Sequence, residues 1–189
     1  DLEVEGARLF LSPALADSRP TGSDPAAWMG ALLASLGPGD TFVINAFLED
    51  AAVAPEAGRL EEAAAIEVPD TTRAVLQRIR EAVGRHAKVA TTLDFGPRYL
   101  HSTGQLQKGG PDRMAGLQLW QSAASREAGP LPIPAMGGDF AVLAEAQAAG
   151  DFAVLCERGR RMIGVDVGAD PTNTLSRLLD WIEQALSRA

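Results

Sequence analysis

Thr41-Phe42-Val43-Ile44-Asn45-Ala46-Phe47 is a run of β-branched and aromatic residues with almost no polar alternation. A strand of that kind is buried on both faces, as in a parallel sheet covered by helices. Just before it, Gly37-Pro38-Gly39-Asp40 closes a helical stretch. That stretch opens at Asp24-Pro25, an N-cap followed by a first-turn proline, and repeats Trp28, Met29, Leu32, Leu33 and Leu36 at helical spacing. Farther back, Arg8-Leu9-Phe10-Leu11-Ser12, stopped by Pro13, reads as another buried strand. A strand-helix-strand unit is therefore complete by Phe47.

The same alternation continues toward the C-terminus. Glu49 to Pro69 is Ala-rich and acidic and reads as a surface insertion with a short helix around Leu60 to Ile66. Asp70 is the expected cap of a helix whose Val75, Ile79 and Val83 share one stripe, with Leu76 beside them and His86 as a cation near its end. Lys88-Val89-Ala90-Thr91-Thr92-Leu93 follows as a third strand, expected at the centre of the sheet. Gly116 to Gln121 alternates and reads as a fourth strand, and Pro130 to Pro134 as a connector. Asp139 caps a helix through Leu143 and Ala146, which Gly150-Asp151 is expected to break and restart. Arg161 to Val167 is the last strand. Asp170-Pro171 then opens an amphipathic helix with Leu175, Leu178, Leu179, Ile182 and Leu186 on its apolar face. Trp28, Trp120 and Trp181 are expected in or near the core, and Cys156 to be a packing residue. Strands alternating with helices predict an α/β fold, a three-layer α/β/α arrangement around a mainly parallel sheet, in a single domain spanning residues 1–189.

Composition narrows the functional classes. The 189 residues are 46% hydrophobic and 22% charged, values of a chain with a sizeable core. Seventeen basic against 25 acidic residues leave a net charge of -8, which argues against nucleic acid as a partner. One cysteine rules out an intrachain disulfide or a multi-cysteine zinc site. No apolar run approaches the ~20 residues of a membrane span and no signal peptide is evident, so the expectation is a cytoplasmic protein with no membrane partner.

The chemistry concentrates between Asp94 and Asp112. The loop Phe95-Gly96-Pro97-Arg98-Tyr99-Leu100-His101-Ser102-Thr103-Gly104-Gln105-Leu106-Gln107-Lys108-Gly109-Gly110-Pro111 leaves the carboxyl end of a strand, where open α/β sheets bind ligands. It includes the chain's only tyrosine, one of its two histidines and one of its two lysines. Arg98 and Lys108 suit a phosphate or carboxylate, and the amides of a glycine-rich turn add to that. His101 beside the hydroxyls of Ser102 and Thr103 suits proton transfer near neutral pH. The set favours an anionic, hydroxylated small molecule such as a sugar phosphate. A plainer reading makes His101 a structural hydrogen-bonding group and the glycines a matter of turn geometry. Walker, dinucleotide and nucleophile-elbow spacings are absent, which removes support from kinase, dehydrogenase and α/β-hydrolase readings. Glu49 and Asp50, beyond the second strand, stand where a base could sit and where loop acids are ordinary.

The run from Phe95 to Leu106, continued by Lys108-Gly109-Gly110-Pro111, closely resembles the C-terminal part of the glucose-6-phosphate isomerase portion of bifunctional transaldolase/glucose-6-phosphate isomerases, in the phosphoglucose isomerase family. Leu131-Pro132-Ile133-Pro134, Phe140 and Ala146-Gln147-Ala148-Ala149-Gly150-Asp151 are similar to the same family. The likeness is closest from about Lys88 to Pro111, thinner from Leu131 to Val167 and weak elsewhere.

The resemblance implies a sugar isomerase (SIS) fold and aldose-ketose isomerisation of glucose 6-phosphate to fructose 6-phosphate, a step of glycolysis and gluconeogenesis, without metal or organic cofactor. The ring opens, and a carboxylate moves a proton between C1 and C2 through a cis-enediol. The resemblance assigns ring opening to His101 and substrate contacts to Arg98, Ser102, Thr103, Gln105 and Lys108. It further implies a partner SIS half or subunit, hence a dimer, with this chain as the C-terminal half of a longer isomerase. Position 107 departs, being Gln where the fusion proteins usually read His, and so does Asp112-Arg113-Met114. The family's Ser/Thr-rich phosphate loop and its base lie in the preceding half and find no match here. A noncatalytic SIS-like module that binds a sugar phosphate or supports an assembly is the alternative.

Overall fold

The structure is a computed structural model that describes residues 1–49, 71–126, 132–134 and 137–188. In chain order its elements are β1 (Leu2–Val4), β2 (Ala7–Leu11), α1 (Pro25–Ala34), β3 (Thr41–Phe47), α2 (Thr72–Ala87), β4 (Ala90–Phe95), α3 (Thr103–Gly109), β5 (Met114–Trp120), α4 (Phe140–Glu157), β6 (Arg161–Asp166) and α5 (Pro171–Arg188). Of the expected insertion over residues 49–69 only Glu49 is among the described residues; its helix around residues 60–66, the Asp70 cap and residues 130 and 131 of the connector lie outside them. Thr71 caps α2, its hydroxyl accepting from the Ala74 amide at 3.2 Å.

The six strands run in the order β1-β2-β6-β5-β3-β4. β6, β5, β3 and β4 are mutually parallel, while β1 and β2 join antiparallel at the other edge. The fold is α/β with a mainly parallel sheet between helix layers, as expected. Three details differ. β1 is too short to show a period, and it forms because Glu5 and Gly6, both at positive φ, make a two-residue hairpin turn to β2. β4 is an edge strand instead of a central one: the chain crosses back over β3, and the continuously buried β5 takes the interior place. The expected break at Gly150-Asp151 does not occur, because α4 runs unbroken and Asp151 is buried within it.

The two faces of the sheet differ in chemistry. Phe42, Ile44, Ala46, Leu117, Leu119, Ile163 and Val165 point toward α1, α5 and α2 and join their apolar stripes in one core. Each of the Phe, Ile, Leu and Val side chains among them contributes about 1.5–3 kcal/mol on burial. The opposite face carries Val43, Asn45 and Phe47 on β3, with Met114, Gly116, Gln118 and Trp120 on β5. α4 covers the β5 and β6 part of that face through Ala148, Phe152 and Leu155. Trp28 and Trp120 are buried and Trp181 packs against the main core, as expected.

Gly116 lies opposite Val43 in the ladder, and a Cβ there would meet the Val43 carbonyl oxygen at 2.0 Å. Relief requires backbone movement at the centre of the sheet. Gly116→Ala is expected to destabilise the chain by about 3 kcal/mol, read from urea unfolding. A loss below about 1 kcal/mol would show that the ladder relaxes freely.

Candidate functional site

The loop after β4 is an ordered clasp. A 3₁₀ turn over Arg98–His101 is followed by α3, so the expected loop with a short helix is what forms. Gly96 begins it with its Cα against the Phe47 ring, where a Cβ would sit 2.6 Å from ring carbons, so no larger residue fits that approach. The same ring meets Tyr99 edge-on, with centroids 5.7 Å apart.

Three inward side chains pin the loop. The Tyr99 hydroxyl donates to Asp151 Oδ2 at 2.6 Å, and the Lys108 ammonium donates to Asp151 Oδ1. Gln107 and Asn45 exchange amide hydrogen bonds of 2.8 and 3.1 Å, both buried, tying α3 to the central strand β3. Arg160, 3% exposed, caps α3 by donating to the carbonyls of Gln107 at 2.9 Å, Lys108 at 3.3 Å and Gly110 at 2.6 Å. Its cation also suits the negative end of that helix.

The other residues of the run face outward. Arg98, His101, Ser102, Thr103 and Gln105 are exposed. No hydrogen bond or ion pair joins the side chain of Arg98 or His101 to another described residue. Gln105 turns back to the Leu100 carbonyl at 2.8 Å, and Ser102 donates to the Tyr99 carbonyl at 3.3 Å. Of the ligand-binding set expected from sequence, Arg98, Ser102 and Thr103 are thus exposed, as is His101, and Arg98 and Ser102 border one cleft. Lys108 is directed inward to a carboxylate, and Gln105 braces the turn.

Beside the loop, between β4 and the first turn of α2, opens a polar cleft of about 230 Å³ bordered by Arg73, Asp94, Phe95, Arg98, Tyr99 and Ser102. Sequence reading missed Asp151, Asn45, Arg160 and Arg73 as parts of this region. The one available signal was Asp151, a carboxylate set between Ala148-Ala149-Gly150 and Phe152-Ala153-Val154-Leu155. Glu49 is exposed and lies 3.8 Å from Arg126. His86 sits in the last turn of α2. Burial pushes the thiol of Cys156 up, which disfavours its thiolate and fits a packing residue. Among the described residues no group of three or more His, Cys, Asp and Glu could hold a metal, and no helix is long and apolar enough to cross a membrane.

Burial, then the negative charge and hydrogen bond of Asp151, then the charge of Asp94, push the Tyr99 phenol well above its ordinary range. The folded state therefore holds that proton more tightly than the unfolded chain does. The resulting stability is fully present below pH ~10 and is lost as pH rises beyond it. Because Tyr99 is the only tyrosine, phenolate absorbance is expected to stay absent beyond pH ~10 until the chain unfolds. A reversible phenolate step near pH ~10 in the folded chain would contradict the buried pair. Asp151→Ala leaves Lys108 without its carboxylate and is expected to cost about 3 kcal/mol in denaturant unfolding.

No family model matches the chain, and no curated protein matches it. Among solved structures, the hypothetical protein TT0462 from Thermus thermophilus aligns with a TM-score of 0.62 at 16% identity over 89% of this chain. This chain spans 40% of the length of that protein's chain. At such identity the likeness is one of fold, and the fold is the three-layer α/β arrangement with a mainly parallel sheet.

Proposed function

We propose that the chain is a sugar isomerase (SIS) domain of the phosphoglucose isomerase family, acting in the cytoplasm on glucose 6-phosphate and fructose 6-phosphate. The observation that supports this most is the construction of the loop after β4. Buried anchors at Tyr99, Gln107 and Lys108 hold it, while His101, Arg98, Ser102 and Thr103 face outward without sharing those anchors. A loop so restrained presents its polar groups at low entropic cost to a ligand or to a second chain. That matches the run Phe95 to Pro111, whose resemblance is to a loop that completes a shared site.

In this reading His101 passes a proton to the ring oxygen as the bond from C1 to that oxygen breaks, and water takes the proton of the C1 hydroxyl as the C1 carbonyl forms. The carboxylate that then carries the C2 proton to C1 comes from the partner SIS half, as does the phosphate loop. Arg98 supplies positive charge, and Ser102 and Thr103 supply hydroxyl contacts. Lys108 acts through Asp151 by fixing the loop and not by touching substrate.

A second reading, a noncatalytic module that binds a sugar phosphate, draws on Gln107. The side chain at the position usually occupied by His is sealed in its amide pair with Asn45 and offers no proton-transfer group.

The two separate in an assay of glucose 6-phosphate conversion by the intact protein that carries this chain. On the catalytic reading, His101→Ala lowers kcat by about 100-fold, the usual worth of general acid-base help. An active protein whose kcat changes only a few-fold on that substitution would refute the role of His101. An inactive intact protein that still binds glucose 6-phosphate favours the second reading.

A further inference from the structure

We propose that Arg160, a buried residue outside the loop, is the positioning residue of the proposed site: its guanidinium sets the direction in which the loop after β4 presents His101. Its effect on turnover rests on the isomerase reading, whereas its hold on the loop does not.

The backbone of Arg160 is fixed before its side chain acts. α4 ends in a Schellman motif, in which Gly159, at φ 70°, donates to the Cys156 carbonyl at 3.0 Å and the Arg160 amide donates to the Leu155 carbonyl at 2.9 Å. The next residue, Arg161, pairs with Ala115 in the parallel ladder of β6 with β5. Arg160 thus stands between a closed helix end and an interior strand, and its guanidinium turns to α3. Nε donates to the Gln107 carbonyl and Nη2 to those of Lys108 and Gly110, while Nη1 donates to Asp112 Oδ1 at 3.3 Å. One planar group with four hydrogen bonds fixes an angle as well as a position, which the single ammonium of a lysine does not.

Stability alone does not account for this residue. Burying a guanidinium costs desolvation, and Asp112, its ionic partner, has a side chain 59% exposed and returns little. An apolar side chain of similar volume often serves stability as well. What it does not do is choose one orientation of α3 over its neighbours. The three carbonyls that Arg160 gathers all follow His101 in the chain, and only Ser102 separates His101 from α3. A rotation of α3 therefore carries the imidazole with it. Asp151 restrains the loop through the side chains of Tyr99 and Lys108, and Arg160 restrains the backbone at its far end.

The test compares the unsubstituted protein with Arg160→Lys, which keeps the charge and gives up the planar fork. Without any variant, the Arg160 Nε proton is expected as a slowly exchanging NMR signal, since it is buried against the Gln107 carbonyl. In Arg160→Lys, amide exchange over residues 102–110 is expected to rise about tenfold or more, while exchange in α5 stays within about threefold. The imidazole signal of His101 is expected to broaden or split and that of His86 to stay as it was. In the intact protein that carries this chain, kcat for glucose 6-phosphate is expected to fall about tenfold or more with KM within about threefold, the mark of a displaced group and not of lost substrate binding. A rapidly exchanging Nε proton, unchanged exchange over residues 102–110, an equal rise throughout the chain, or an unchanged kcat in an active protein would each overturn the proposal. An intact protein without isomerase activity would refute the isomerase reading instead, and the exchange and imidazole signals would then decide the hold on the loop.

Discussion

Asp151 accepts hydrogen bonds from Tyr99 and Lys108, residues on either side of His101 in the chain, while standing on a helix of the covering layer. Its carboxylate is buried in low dielectric, where an unpaired charge is expensive and a paired one is held firmly. Two donors from the loop meet that demand, and in doing so they bring both ends of the loop against α4. Loss of either donor leaves one oxygen of the buried carboxylate without its partner. The position of the outward-facing Arg98, His101, Ser102 and Thr103 follows from that constraint.

The asymmetry of the sheet makes the constraint possible. Toward α1, α2 and α5 the strands present aliphatic and aromatic side chains, and the layer is an ordinary apolar core. Toward α3 and α4 the central strands present Asn45 and Gln118, each needing a partner once buried. Asn45 finds Gln107, and Gln118 donates to the Ala148 carbonyl at 2.6 Å. Polar groups that would weaken a purely apolar core here select which segment packs where. Arg160 completes the arrangement by gathering the carbonyls at the end of α3.

The edge position of β4 has an electrostatic consequence. A chain of net charge -8 gives little general attraction to anions. At this edge, however, Arg73 and Arg98 meet the positive end of α2, and the loop from Phe95 to Gly110 has no acidic residue. Asp94, at the end of the strand itself, confines the positive region to one side of the cleft. An interior strand would have had neighbours on both sides and no room for such a cleft.

Much of the fold was legible in the residues alone, because burial imposes periods that a chain cannot hide. The doubly buried run Thr41 to Phe47, the stripe of Val75, Ile79 and Val83, and that of Leu175 to Leu186 each required a sheet covered by helices. Caps at Asp24 and Asp139 were likewise local, each needing only its own side chain and the next few amides. Strand order was not local. Whether β4 lies at the centre or the edge depends on which strand the chain crosses after leaving it, and that crossing is decided by long-range packing. The loop divided in the same way. Its residue types pointed to an anionic, hydroxylated ligand, but which side chains face it rests on partners 43 to 62 positions away, at Asp151 and Asn45. Sequence alone determined that Tyr99, His101, Gln107 and Lys108 share one loop. Only the tertiary structure decided that three of them turn inward and leave His101 outside, since a buried carboxylate and a buried amide elsewhere in the chain had to be satisfied.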